Sequence, residues 1–313
     1  MNKIFATSPD SINLYQDWLK FFDKIGQQNG LFFANFPKPW IAKFKEHLEL
    51  LEIEDWDDWD KKKIIEFFIH LKNTNSLLAL HHQYDHSKAW EMNYLNLPDE
   101  IKKKCFAIGN RNNEFEIKDF TKLNPLDLKV SSFHRGALSP NDFVNLLGVY
   151  FAQTKKIAFV DRHNYLINSQ GQPSLFTHCI RSILEINRSN QLGELIIYAM
   201  HDEISHPYMK NKDELIKVLS FCFQGYRIPL YGIKYICCKE RRERHIGNLH
   251  TRLICTNHVV FHLSDSISGR NESQLITRIS DPYESADQLT YWIDEEHNLD
   301  VVTEATFTGR INK

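Results

Sequence analysis

The chain has 313 residues, 42% of them hydrophobic, with 38 Lys and Arg against 40 Asp and Glu, a formal net charge of −2. This length and composition suit one large or two ordinary domains with a real core. They exclude a polycation held to nucleic acid by its overall field, so any such attraction has to come from a local patch. The opening MNKIFATSPDS has no apolar leader stretch, and no apolar run reaches the length of a membrane span. The expectation is a cytoplasmic protein with no membrane partner. Cys237 and Cys238 are adjacent and the remaining cysteines are scattered without a CxxC pair, which suits reduced thiols better than a disulfide framework or a zinc ribbon.

In chain order, residues 1–130 read as a mainly helical N-terminal region, suited to docking a protein partner. ANFPKPW is a rigid connection, because Pro37 and Pro39 each remove a backbone donor. KKKIIEFFIHLKN has apolar residues at helical spacing, and NLPDEIKKKC starts another helix with Pro98 near its first turn. The polar, Asn-rich stretch from 110 to 140 contains the boundary to a second domain, 131–313. There the pattern alternates. SPNDFVNLLGVYFAQT opens with a Ser-x-x-Asp start and continues as a helix, KKIAFVD is a buried strand, and LFTHCIRSILEIN is a helix. ELIIYAM is a second strand, and NKDELIKVLSFCFQG is a helix stopped by Gly225. PLYGIKYICC is a third strand, and LHTRLICTNHVVFHLS supplies a strand pair. Such alternation implies an α/β fold with a mostly parallel sheet flanked by helices, and ligands gather beyond the carboxyl ends of its strands. Asp161, Arg162 and His163 follow one strand there, and His201, Asp202 and Glu203 follow the next.

His250 and Arg252 are two residues apart, so on a strand both would face the same way. A neutral imidazole can attack phosphorus, and a guanidinium beside it can grip two phosphate oxygens in a fork. Upstream, KERRERH places Arg241, Arg242 and Arg244 as a basic, phosphate-binding lip.

The spacing His250-x-Arg252-x4-Asn257 resembles the His-x-Lys-x4-Asp motif of the phospholipase D superfamily, and the strands and helices before it follow the order of that fold. The resemblance covers roughly residues 140–313. It implies His250 as the nucleophile that forms a phosphohistidine, Arg252 as the phosphate clamp, and Asn257 at the motif's Asp position. Asp281 is the candidate for the carboxylate that orients the histidine, on position alone. Arg for Lys keeps the charge; Asn for Asp removes one; and Ser264-Asp265 stands where the family has Gly-Ser. Family enzymes need two motifs around one phosphate and the chain has one, so either a homodimer completes the site or the site only binds.

The function this implies is recognition of a phosphodiester in nucleic acid. If catalysis is retained, it is that of a metal-independent phosphodiesterase or nuclease with no cofactor. Domains of this type with altered motifs are similar to components of bacterial genome-defence systems. The alternative is a non-catalytic adaptor whose degenerate domain binds phosphate groups or a protein partner. Competing motifs are weaker. His201 and His206 in HDEISH are five apart rather than four, so a polar loop is expected there and no metal site. His82 and His86 have helical metal spacing but no third ligand, His134 and Arg135 read as a loop, and the 21 Phe and 12 Tyr read as core. No phosphate-binding Gly-Lys loop, nucleophile-elbow serine or dinucleotide glycine pattern is present.

Overall fold

A computed structural model describes the chain except residues 1, 13–14, 23, 39, 51–55, 75, 81, 104, 110–116, 119–122, 124–129, 131–132, 137–138, 188–191, 240–248, 268–273, 280–281, 295–298 and 310–313; at 20, 28, 133, 135, 250, 282 and 283 it describes the backbone alone. The chain divides into two compact units, Met1–Ser131 and Ser132–Lys313.

The first unit contains β1 (Lys3–Thr7), α1 (Tyr15–Phe22), β2 (Leu31–Asn35), α2 (Trp40–Leu50), α3 (Asp58–Asn73), β3 (Leu77–Ala79), α4 (Trp90–Leu95), α5 (Asp99–Lys102), β4 (Cys105–Ile108) and β5 (Ile117–Lys118). The strands form one parallel sheet in the order β3-β2-β1-β4-β5, so the winding direction reverses between β1 and β4. Reading this region as mainly helical missed the sheet. Its strands are two to five residues long, and a short apolar run such as LFFAN carries no period that separates strand from helix. Alternation across β1 sends Phe5 to one face, against Trp18, Phe21 and Phe33, and Ala6 to the other, against Trp90 and Tyr94. α3 shows why its segment is helical. Asp57 caps its start by accepting from the Asp60 amide at 2.7 Å, and Ile64, Phe68 and Leu71 bury one stripe.

The second unit contains β6 (Phe133–Arg135), α6 (Pro140–Phe151), β7 (Lys156–Val160), α7 (Leu175–Ile186), β8 (Glu194–Met200), α8 (Lys212–Phe223), β9 (Ile233–Lys239), β10 (Leu253–Thr256), β11 (Val260–Leu263), β12 (Leu275–Arg278), α9 (Pro282–Trp292) and β13 (Asp300–Phe307). A full capping box between Ser139 and Asp142 starts α6, and Gly225, at φ 88°, lies just past α8. The eight strands run in the order β13-β9-β8-β7-β10-β11-β12-β6. This corrects the mostly parallel sheet. Among the described strands the β7–β8 and β8–β9 pairings are parallel, and those on either side are antiparallel. The physical reason is connection length: β10 and β11 are joined by three residues, too few for a crossover. His134 and Arg135 lie on the edge strand β6, not in a loop. Both faces of the sheet are covered. Phe159 meets Phe143 of α6 and Phe176 of α7, while Ala158, Val160 and Tyr198 pack against Trp292 of α9.

Candidate functional site

The carboxyl ends of β7, β8 and β9 define one edge of the second unit. β10 runs antiparallel to β7 with Leu253 opposite Val160, so the residues entering β10 arrive at that same edge. Leu249–Thr251 is a single 3-10 turn, and the Leu249 carbonyl accepts from the Arg162 amide at 3.1 Å, which ties the turn to the end of β7. The same-face argument for His250 and Arg252 therefore fails, because neither residue is on a strand. His250 is in the turn. Arg252 has φ 45° and is the one non-glycine residue with positive φ among the described residues. Backbone direction, not strand alternation, delivers Arg252 to the edge.

The Arg252 guanidinium donates from Nη1 to the Ser264 carbonyl at 3.0 Å, and its Nε lies 4.0 Å from Asp161 Oδ1. That Nε is buried and makes no hydrogen bond with any described residue. Asp161, whose side chain is 7% exposed, accepts from the His163 amide at 3.0 Å. Burial raises its carboxyl above the ordinary range, against the lowering effect of the Ser266 hydroxyl, the His163 amide and the His163 and Arg252 charges. Burial therefore disfavours the charged carboxylate beside the guanidinium.

The loop after β8 completes the edge. The Asp202 carboxylate accepts from the Ser205 amide at 3.0 Å and its carbonyl accepts from the His206 amide at 2.9 Å, so HDEISH folds into a tight turn. Hydrogen bonds from Ser205 hold the Asp202 carboxyl below its usual value. His206 stacks on Tyr165 at 3.7 Å between ring centroids and 28° between planes. His163 meets Tyr165 edge-on at 5.8 Å, and buried Tyr208 meets His206 edge-on at 5.7 Å. Burial lowers the His206 imidazole below its usual value. No group of three metal-ligating side chains occurs among the described residues, and His82 and His86 are in an irregular segment rather than on a helix.

The predicted site residues are only partly brought together. Asn257 is a correction. Thr256 pairs with Ile157, which puts Asn257 at the opposite end of β7, five residues and about 16 Å of chain from Arg252 at ~3.3 Å per residue. Its Oδ1 accepts from the Thr154 hydroxyl and the Lys155 and Lys156 amides at 2.7–2.8 Å. Asn257 is therefore a clamp at the start of β7 and no part of the Arg252 site. Asp281, Arg241, Arg242, Arg244 and the His250 side chain lie outside the described residues. Sequence reasoning missed Tyr165 and the Ser264 carbonyl. Tyr165 is four residues beyond Asp161, and only the fold brings it under His206.

No family model, no curated protein and no solved structure matches the chain.

Proposed function

We propose that the carboxyl edge of β7–β9 recognises a phosphodiester in the manner of a phospholipase D-like domain, and that the ligand is nucleic acid. The observation that carries this reading is Arg252. It is held in a left-handed backbone conformation that costs an ordinary residue about 1–2 kcal/mol, with its guanidinium fixed by the Ser264 carbonyl at the edge where α/β sheets bind ligands. Non-glycine strain of this kind persists where the surroundings over-determine it, and here it fixes a cation. In this reading Arg252 grips the phosphate and Arg241, Arg242 and Arg244 extend the basic lip. His250 is the nucleophile if the chain cleaves, and a homodimer supplies the second motif. Bacterial genome defence is a setting consistent with such chemistry.

A second reading, a non-catalytic adaptor, is favoured by Asn257. At that position the chain has a structural clamp and no charge for catalysis. Incubation of the purified protein with plasmid, single-stranded DNA, RNA and a generic phosphodiester, with and without chelator, separates the two. An enzyme cleaves in the presence of chelator, and His250→Ala abolishes turnover while binding survives. An adaptor binds without turnover and tolerates His250→Ala. Failure to bind any of these ligands rejects the phosphodiester reading altogether.

A further inference from the structure

We infer that the Tyr165–His206 ring pair is a stacking subsite for an unpaired nucleobase, so that the ligand of the carboxyl edge is single-stranded or locally unpaired nucleic acid rather than intact duplex. The inference rests on the phosphodiester reading of Arg252 and adds the base to it.

Three features point to a base. The first is the ring pair. Tyr165 and His206 come from the loops after β7 and β8 and stack at 3.7 Å, and each is half-buried, so part of the pair stays open to solvent. The second is its rigidity. Tyr208 braces His206 from beneath, and its own hydroxyl accepts from the Leu166 amide at 3.1 Å, while the Ser174 hydroxyl donates to the Tyr165 carbonyl at 2.6 Å. A platform that is already ordered loses little entropy when a third ring is added. The third is its neighbourhood. Asp161, the ion-pair partner of Arg252, accepts from the His163 amide, and the His163 ring meets Tyr165 edge-on, so the stack and the guanidinium belong to one continuous edge. Ile204, 91% exposed at the tip of the same tight turn, gives this lip an apolar point of the kind that separates stacked bases. Burial lowers the His206 imidazole below its usual value, which favours the uncharged ring in the stack. Bases inside a duplex keep their faces covered by their neighbours, so a fixed ring pair favours strands whose bases are free.

The test uses the full chain and fluorescence anisotropy with four labelled probes of equal length: oligothymidylate, oligouridylate, an abasic DNA strand and a DNA duplex. The expected order is single strands tighter than the abasic strand by about tenfold, with the duplex weaker than the single strands. Oligothymidylate against oligouridylate distinguishes DNA from RNA. Tyr165→Ala and His206→Ala each weaken the base-bearing strands by about fivefold or more and leave the abasic strand unchanged, whereas Tyr165→Phe keeps the parent affinities. Retained abasic affinity also shows that a variant is folded. Equal affinity of the parent for abasic and base-bearing strands, or insensitivity of the base-bearing strands to both alanine variants, overturns the stacking subsite while leaving phosphodiester recognition intact. Loss of the abasic strand in both alanine variants also overturns it, since the ring pair then only shapes the phosphate site. Absence of binding to all four probes rejects the phosphodiester reading and the subsite with it.

Discussion

Replacing Asn257 with alanine tests whether this residue holds the fold or serves the site. The side-chain oxygen accepts from the Thr154 hydroxyl at 2.8 Å, the Lys155 amide at 2.8 Å and the Lys156 amide at 2.7 Å, and the Asn257 amide donates to Thr154 Oγ1 at 3.0 Å. Lys156 is half-buried, so Asn257→Ala strands its amide, while the buried Thr154 hydroxyl keeps the Lys156 carbonyl as an acceptor at 2.7 Å and the exposed Lys155 amide recovers water. One stranded donor of this kind costs about 1–3 kcal/mol. For a unit of this size that lowers Tm by about 2–12 °C. Asn257→Asp keeps all three acceptor contacts beside two lysines and should lose less than about 1 kcal/mol. Thermal denaturation followed by circular dichroism gives the stabilities, and anisotropy gives nucleic-acid affinity below the transition. An Asn257→Ala protein of unchanged Tm, or one that is fully folded yet has lost affinity, refutes the reasoning.

Arg252→Gly and Arg252→Ala should both lose phosphodiester affinity. The glycine variant should be more stable than the alanine one by about 1 kcal/mol, because φ 45° suits a residue without Cβ; urea melts of equal midpoint would contradict the strain. Asp161→Asn removes the carboxylate 4.0 Å from the guanidinium and should tighten binding of a single strand about two- to fivefold, the equivalent of a weak, partly exposed ion pair. Unchanged or weaker binding would show that Asp161 orients Arg252 rather than competing for it. Burial lowers the imidazoles of His178, His206, His258 and His262 below their usual 6.5. The unfolded chain then takes up protons that the folded one refuses, so their contribution to stability is present above about pH 6.5 and lost as pH falls through the window below it. Asp161, raised by burial, acts with the opposite sign in a window above 3.8. Tm measured between about pH 7.5 and 5.5 should fall on acidification, and a flat profile would contradict the lowered imidazoles.

What the sequence made legible follows from how each segment is stabilised. β7, β8 and β9 are apolar runs of five to seven residues buried on both faces and alternating with helices, and the helices before and between them carry capping residues or a stop glycine. Local pattern and tertiary packing agree there. The N-terminal sheet was hidden because β1 to β5 are short and their apolar residues are equally at home on a helix face. Arg252 was legible as a motif residue but not as a left-handed one, since that conformation is imposed by the tie from Leu249 to Arg162 and the bond to Ser264. Asn257 shared a motif spacing with Arg252 while serving the opposite end of the same strand. Only the register of β10 on β7 reveals the difference. Tyr165 and His206 are 41 positions apart and carry no sequence signal of contact.

The most direct test of the central claim is the salt dependence of single-strand binding by the parent protein and Arg252→Gly. If Arg252 grips a phosphate, the variant binds more weakly, and its plot of log affinity against log salt is shallower by about 0.7, the counterion release of one contact on a single strand. Parallel plots of equal affinity would show that Arg252 touches no phosphate, and the carboxyl edge would then be only a tied and polar end of the sheet.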